Sequence, residues 1–396
     1  MEEAQQAADF TPQAKALFRA VVCGGDTPVA ERFDAAQVQA HCDKMNALVD
    51  KFRSSWLSKA TPFLAGLRPT GLPERVVYPF GGGDLVAAIA TFPDAVEYTL
   101  LSIEAAGDPR AIDDVTTKEL ARTQAITEHN VHNLFMVAHN RTDVMASAEH
   151  DRLPSQLIFA LVALRAHNLE PVQLRYFRVN PDGSLVYVTA ANIAAAAGPS
   201  EADHPDLFEN MEIIFRRVGA PDGAPLKTYR HLSVNLDNQH LTASPGVLKH
   251  LEAKGKIAAM TKAASYLMWG SRFAMIRDYL LDHMVWMISD STGIGPNDAK
   301  AKGFVQETYG RFDGPFLDNA VQRVGEQAKA LWRSQPPRDI PIPYGYPDNR
   351  RHWHLMITKP GPPGTSPAPV VAPAKPPTPP APMAPVAPPT SGAPAP

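Results

Sequence analysis

The amino-acid sequence predicts an α/β fold, and the prediction depends on two stretches. Residues 75–104 run from a short apolar segment through three consecutive glycines and a small-residue helix to a second β-rich segment that closes on an acid. A nucleotide-binding βαβ half-unit has this order of elements: strand, glycine turn, helix, strand and terminal acid. Further along, the Asn-Pro-Asp-Gly-Ser turn at 180–184 predicts a hairpin. We therefore expect a Rossmann-like, mixed but largely parallel sheet that is flanked by helices.

Composition divides the chain into three parts. Residues 1–70 are expected to form an N-terminal helical segment packed on the core, residues 71–359 the α/β domain, and residues 360–396 a disordered tail. The tail consists almost entirely of proline, alanine, valine, glycine, serine and threonine, which cannot bury a core. The whole chain has 396 residues, 44% of them hydrophobic, which is ample for a large core.

The charge and hydropathy patterns exclude two classes of partner. A formal net charge of −3 provides no electrostatic argument for binding nucleic acid or an anionic membrane surface. The apolar runs are much shorter than a bilayer span, so we expect no transmembrane segment. The N-terminal residues are acidic and polar and contain no signal-peptide core. The sequence as given is therefore expected to be a soluble protein.

Cys23 and Cys42 are the two cysteines of the chain. In an exporting cell they would form one disulfide across the N-terminal helical segment. The alternative is two reduced thiols packed as small hydrophobic groups. The cysteines and the proline-rich tail favour a periplasmic or secreted location, with the cytoplasm as the alternative. In the envelope, the tail would act as a spacer or contact a partner.

The other elements follow from periodicity and turn residues. Helices are expected at Thr11–Ala20, with Thr11 as the cap, and at 35–64, 85–92, 116–145, 156–167, 245–288 and 319–332. Strands are expected at 76–80, 98–103, 172–179, 185–189, 211–217, 227–235 and 354–358. Parallel crossovers come first and antiparallel members later, which is the pattern of a mixed sheet.

The glycine turn after the first strand is the predicted ligand site. Glycine supplies backbone angles that side chains forbid, and the start of a helix favours an anion. Asp84 is expected to cap the helix that begins at Leu85, and Glu104 to accept hydrogen bonds from ribose hydroxyls. The predicted binding residues for a small polar molecule are Tyr78, Gly81, Gly82, Gly83, Asp84 and Glu104. The alternative is a plain glycine turn between a strand and a helix.

Three residues in the second half of the chain are candidate catalytic groups. Lys262 and Tyr266 are expected on one face of the 245–288 helix because they lie four residues apart. There the lysine would neutralise an anion and the tyrosine would donate a hydrogen bond. Asp290 would receive a proton or accept a ligand hydroxyl. The alternatives are side chains that extend outward along the helix and an aspartate that only shapes a turn.

His129, His132 and His139 share one face of the predicted 116–145 helix. A zinc site would need two or three such imidazoles and a further ligand at fixed geometry. The segment has no HExxH motif, and asparagines alternate with the histidines. A polar helix face is the preferred interpretation, and no metal is predicted.

Two resemblances are visible in these residues. The glycine turn resembles the opening of class I S-adenosylmethionine-dependent methyltransferases, in which the glycines approach the methionine part of the cofactor and the acid after strand two holds the ribose. Gly81, Gly83 and Glu104 match that pattern, whereas Tyr78-Pro79-Phe80 stands where the family has an acidic residue. The resemblance implies S-adenosylmethionine as the cofactor. The wider pattern of YPFGGGD, TKAASYLM and SDSTGI is similar to bacterial exported proteins of uncharacterised function and implies no activity.

Three functional hypotheses follow from these observations. The first is an exported α/β protein with a small-ligand site at the glycine turn, with or without catalysis. The second is a cytoplasmic methyltransferase-like enzyme. The third is a non-catalytic interaction protein of the cell envelope, with the proline-rich tail as its spacer.

Overall fold

The computed structural model describes residues 7–26, 28–137, 152–196, 205–314, 322–348 and 350–362. Within these residues, ten strands form one sheet: β1 Arg75–Pro79, β2 Glu97–Ser102, β3 Leu169–Val179, β4 Leu185–Tyr187, β5 Asn210–Arg217, β6 Lys227–Ser233, β7 Ile257–Thr261, β8 Met284–Ser289, β9 Phe304–Gly310 and β10 His354–Pro360.

The α-helices of the described residues are α1 Thr11–Ala20, α2 Ala35–Phe52, α3 Ser58–Leu67, α4 Leu85–Thr91, α5 Ala111–Asp114, α6 Thr117–Val137, α7 Ser155–Ala166, α8 Ala190–Ala196, α9 Asn238–Ala243, α10 Gly246–Glu252, α11 Ala274–His283, α12 Pro296–Ala301 and α13 Gln322–Arg333. Short 3₁₀ segments lie at Pro205–Phe208, Ala263–Trp269 and Ser271–Phe273, and a π-helical turn at Arg53–Leu57.

The sheet has a parallel centre and antiparallel flanks. Its strand order is β4-β3-β5-β6-β2-β1-β7-β8-β10-β9. The five central strands, from β6 to β8, pair in parallel, and the five other pairings are antiparallel. The mixed α/β fold is confirmed, but the expectation of a largely parallel sheet is wrong. Antiparallel strands extend both edges, and short reversals of the chain join β3 to β4 and β5 to β6.

The two largest of three hydrophobic clusters in the described residues lie on opposite faces of the sheet. Alternate residues of one strand enter different cores: Val76 and Tyr78 of β1 pack on one side and Val77 on the other. Helices of the first half of the chain, including α1, α2 and α7, cover the first face, and α9 to α12 cover the second. Burial on both faces explains why β1, β7 and β8 are nearly continuous apolar runs.

The N-terminal helices agree closely with the prediction. Helix α1 spans Thr11–Ala20 as expected, but Phe10 rather than Thr11 holds the N-cap position. The Thr11 hydroxyl instead accepts a hydrogen bond from the backbone N of Leu174 in β3, at 3.1 Å. The expected helix over 35–64 is present as α2, the π-helical turn and α3. These helices therefore dock directly onto the sheet.

The region 245–288 is not helical throughout, whereas the sequence predicts helix on both sides of a break near residues 269–271. It contains α10, β7, two 3₁₀ segments, α11 and the start of β8. All five residues of β7, Ile257–Thr261, are buried, so the run lacks the alternation that marks a half-buried strand. Lys262 consequently lies at the carboxyl end of β7 and Tyr266 in a 3₁₀ segment. The expected helical face shared by these two residues does not exist.

Two predictions extend beyond the described residues. The 116–145 helix is present as α6, and its remaining predicted residues, including His139, lie outside the described part. The predicted disorder of 360–396 also lies outside it, except for the first three residues. The last predicted helix and strand are confirmed as α13 and β10. No helix of the described ranges is both long and apolar enough to traverse a bilayer.

The predicted disulfide joins Cys23, after α1, to Cys42 of α2. Its Cα atoms are 5.2 Å apart, and both residues are buried. Beside it, His41 contacts Val21 O at 2.7 Å and the Glu128 carboxylate of α6 at 2.8 Å. The bond thus lies near the point where α1, α2 and α6 meet.

Removing this disulfide is expected to lower the free energy of unfolding by about 3 kcal/mol, because the unfolded chain is no longer constrained by the closed loop. The positions joined are 19 residues apart. Chemical denaturation of the oxidised protein, the reduced protein and the double variant Cys23→Ser/Cys42→Ser measures the loss. Reductant should leave the double variant unchanged, and an unshifted midpoint for the reduced wild type would contradict the prediction.

Candidate functional site

A hollow opens at the carboxyl edge of the central parallel strands. Its volume is about 160 Å³, and its walls are the segments at the ends of β1, β2, β6 and β7. After β1 the chain builds β2 and β6 on one side and β7 and β8 on the other. The hollow therefore lies where the sheet changes its direction of growth, which is the place at which open α/β sheets bind ligands.

Glu104 brings an unpaired carboxylate to this hollow. The residue is only 8% exposed, and its Oε2 has no hydrogen-bond partner in the described part of the chain. Ser102 is another residue of the lining, and its buried Oγ has no hydrogen-bond partner among the same residues. Buried polar atoms are nearly always paired, because an unmade hydrogen bond costs about 1–3 kcal/mol. A ligand with hydrogen-bond donors would complete this arrangement.

Two residues of the hollow have a strained backbone. Phe80 and Ala263 have φ angles of 60° and 58°, in the left-handed region that costs roughly 1–2 kcal/mol for a residue with a side chain. Phe80 follows β1 and Ala263 lies just beyond β7, so both are at the ends of neighbouring strands. The backbone N of Ala263 donates to Asp290 Oδ2 at 3.0 Å, which holds that conformation. Strain of this kind clusters at ligand sites.

Two buried side chains outside the lining hold the main chain of Gly82 and Glu104 in place. Gln156 Nε2 donates to Gly82 O at 3.0 Å and to His231 Nδ1 at 3.3 Å. His231 Nε2 donates to the main-chain oxygen of Glu104 at 2.7 Å. Burial lowers the pKa of His231 to about 4, so the ring is neutral near pH 7 and has the tautomer that these contacts need. The network joins the glycine turn to the segment containing Glu104.

Asp84 and Lys262 form a buried ion pair beside the glycine turn. Lys262 Nζ lies 2.6 Å from Asp84 Oδ2, and the two side chains are 5% and 2% exposed. Tyr78 OH donates to the same oxygen at 2.9 Å. Burial, together with the nearby Asp84, raises the pKa of Tyr78 well above its ordinary value, so the phenol stays protonated. Asp84 occupies the N-cap position of α4 without a side-chain capping bond, and the capping prediction is therefore wrong.

The glycines of the turn have two different roles. A Cβ atom on Gly81 would lie 2.9 Å from Tyr78 Cγ, and one on Gly83 would lie 3.0 Å from Phe159 Cβ. A Cβ at Gly81 would clash with Tyr78, and one at Gly83 would require Phe159 to shift, so protein groups already fill the space beside both glycines. Gly82, with a φ of 46°, lines the hollow. A ligand in the hollow would thus meet the turn at its middle glycine.

The predicted binding residues are divided between two neighbouring groups. Gly82 and Glu104 line the hollow, whereas Tyr78 and Asp84 belong to the buried ion-pair cluster. The assignment of these residues to a cofactor stays a prediction. Gln156 and His231 were not singled out in the sequence, and the only signal for them is a polar residue within an otherwise buried helix or strand.

The candidate catalytic residues have different surroundings. Lys262 is bound to Asp84, and Tyr266 is partly exposed and lies outside the lining of the hollow. Asp290 is fully buried, and its carboxylate accepts from the backbone N of Ala263 at 3.0 Å and of Thr292 at 2.9 Å. The aspartate therefore fastens the loops that follow β7 and β8. The catalytic roles of all three stay predictions.

His129 and His132 are exposed on α6. A different group, which the sequence did not reveal, brings possible ligand atoms of Asp313, Asp348 and His352 within 4.8 Å of one another. Asp348 already accepts from the backbone N of Asp313 at 2.8 Å and of His352 at 2.8 Å. Its carboxylate thereby closes a loop, and the group has no feature that requires a metal.

Comparison with protein-family models, with curated proteins and with solved structures finds no match to this chain.

Removing one partner of the Asp84–Lys262 pair is expected to destabilise the protein by about 3–5 kcal/mol, because the other charge remains buried and uncompensated. Asp84→Asn and Lys262→Met test the two sides. The double variant should lose less than the sum of the single losses, since it leaves no buried charge. Urea unfolding of the four proteins measures this coupling, and strictly additive losses would contradict it.

Stability is expected to fall as the pH decreases from about 6.5 towards 4. The pKa of buried His231 is about 4, below the value near 6.5 of an unfolded chain, so the unfolded state takes up a proton that the folded state refuses. This one histidine should account for about 1–2 kcal/mol between pH 7 and 5. His231→Gln should reduce the loss measured by urea unfolding, and the exposed His129→Gln should leave it unchanged. An identical pH dependence for wild type and His231→Gln would refute the assignment.

Proposed function

We propose that this protein binds a small molecule in the hollow between β1, β2, β6 and β7, with the Glu104 carboxylate accepting hydrogen bonds from the ligand. The observation that supports this most directly is the pair of buried, unpaired oxygens of Ser102 and Glu104. The left-handed conformations of Phe80 and Ala263 on the same hollow add a second, independent argument.

We also propose that the five central strands form a Rossmann-like core. If β1, β2, β6, β7 and β8 are counted in chain order, their order in the sheet is 3-2-1-4-5. This is the order of the first five strands of the doubly wound dinucleotide-binding fold. In this proposal the antiparallel strands are additions at both edges, and the ligand occupies the switch point as in other members of that fold class.

A second candidate function is that of an S-adenosylmethionine-dependent enzyme. It is favoured by the position of Glu104, which follows β2 and lines the same hollow as Gly82 of the turn. In the methyltransferase resemblance this acid holds the ribose of the cofactor. The packing of Gly81 and Gly83 against protein side chains weighs against a methionine tail lying along the whole turn.

We propose a location outside the cytoplasm, supported by the Cys23–Cys42 disulfide, because such bonds persist in oxidising compartments. An interaction with an envelope partner through the proline-rich tail is the remaining proposal for the full chain.

The test is a binding screen on the full-length protein. A fragment library, S-adenosylmethionine, S-adenosylhomocysteine and adenosine are examined by ligand-observed NMR and titration calorimetry. Ligands of the hollow should bind at least tenfold more weakly to Glu104→Ala, a loss of about 1.4 kcal/mol. Leu267→Trp should abolish their binding, since the indole fills the hollow. Transfer of a labelled methyl group distinguishes an enzyme from a binding protein.

The matched control is Glu252→Ala, which removes an exposed carboxylate on α10 and should leave binding unchanged. Circular dichroism and melting temperature show whether each variant is folded. The proposed site would be refuted if every compound that binds the wild type bound the folded Leu267→Trp variant equally well.

A further inference from the structure

The charge of the hollow is one-sided. Glu104 is the one ionisable residue of its lining, and the remaining lining residues are apolar or small except for Ser102 and Asn235. The cations that lie near it are engaged elsewhere. Lys262 is paired with Asp84, and the Arg272 guanidinium donates twice to Asp237 Oδ2, at 3.1 and 2.7 Å. Among the described residues, the lining of the hollow therefore contains one acidic side chain and no basic one, and the Arg272 guanidinium lies 6.0 Å from the centre of the Phe273 ring.

A cation would stabilise a buried carboxylate that has no partner. Desolvation of an ionised carboxylate is costly, and a charge-assisted hydrogen bond from a cation offsets that cost more fully than a neutral donor does. The unpaired Ser102 Oγ beside Glu104 offers a second acceptor to the same group. A phosphate or carboxylate ligand would instead be repelled by Glu104.

The walls of the hollow suit the body of an organic cation. Phe80 and Phe273 contact edge to face, with ring centres 5.9 Å apart, and Leu267 and Leu236 complete an apolar surface. Aromatic faces attract ammonium groups. Apolar cavities of about 150 Å³ hold a benzene ring, and this hollow has about 160 Å³.

We infer that the hollow selects an organic cation: an ammonium group on Glu104, attached to an apolar body about the size of a six-membered ring. The inference rests on the ligand site proposed above and adds its charge preference. It places the specificity of the site in Glu104 and in the apolar walls rather than in the glycine turn.

The experiment compares three probes of similar shape and different charge: benzylamine, benzyl alcohol and benzoate. Binding to the full-length protein is measured by NMR titration at pH 7 and constant ionic strength. Benzylamine should bind at least tenfold more tightly than benzyl alcohol, and benzoate more weakly than both. Leu267→Trp, which fills the hollow, should remove the binding of every probe.

Glu104→Gln keeps the shape of the side chain and removes its charge. In this variant the preference for benzylamine over benzyl alcohol should fall to threefold or less, while the affinity for benzyl alcohol stays within about threefold of the wild-type value. The exposed Glu252→Gln should keep the full preference. If Glu104→Gln does not fold, Glu104→Asp serves instead, because it moves the charge back from the hollow. This variant should weaken the binding of benzylamine more than the binding of benzyl alcohol.

The outcomes separate the two claims. Wild-type binding with equal affinity for benzylamine and benzyl alcohol, or a preference that survives in Glu104→Gln, overturns the cation inference and leaves the proposed ligand site standing. If Leu267→Trp reduces the binding of none of these probes and of no compound in the fragment library, both the cation inference and the proposed ligand site are overturned.

Discussion

The ion pair between Asp84 and Lys262 is the contact on which the centre of the structure depends. It joins the turn after β1 to the end of β7, two strands that pair in parallel at the point where the sheet changes direction. With both side chains almost fully buried, each charge is tolerated only because the other is present. The pair, with the Tyr78 hydroxyl on the same carboxylate oxygen, therefore constrains how the glycine turn lies against β7.

Several local features follow from this constraint. Asp84 is directed towards Lys262 and cannot cap α4. The chain leaves β1 and β7 through left-handed residues, Phe80 and Ala263, and Asp290 holds the second of these from the loop after β8. On the other side, Gln156 and His231 tie the turn to the Glu104 segment. Buried polar contacts thus hold the hollow from two directions, and its walls are free to be apolar.

The sequence predicted what depends on neighbouring residues and missed what depends on distant ones. Helix α1, the hairpin of β3 and β4, the disulfide and the acid after β2 each have a local signature of caps, turns or spacing. Strands β7 and β8 have none, because burial on both faces removes the alternation that distinguishes a strand from a buried helix. Reading them as helix put Lys262 and Tyr266 on a face that does not exist.

The sequence likewise predicted some residues of the candidate site and missed others. Glu104 and Gly82 are recognisable because a glycine turn and a strand-ending acid stand close together in the chain. The partner of Asp84 is Lys262, which follows β7 and is separated from Asp84 in the chain by strands β2 to β7, so local spacing contains no information about it. The role of His231 could not be predicted from the sequence either, since a single histidine in a strand is more often exposed at an edge than buried beneath a hollow. Antiparallel members of the sheet were predicted, but their share was underestimated, because pairings between distant segments leave no local signal.

The pairing of β1 with β7 also has a consequence for how the molecule is made. Val76 and Ala258 lie opposite each other although about 180 residues of chain separate them. Contacts of such high sequence separation bear a large loop-closure entropy and form slowly. The hollow is absent from any nascent chain that has not yet reached β7, and it appears only when the early and late halves of the polypeptide have met. A compound that occupies it would recognise the finished molecule alone, and would hold it in that state by mass action.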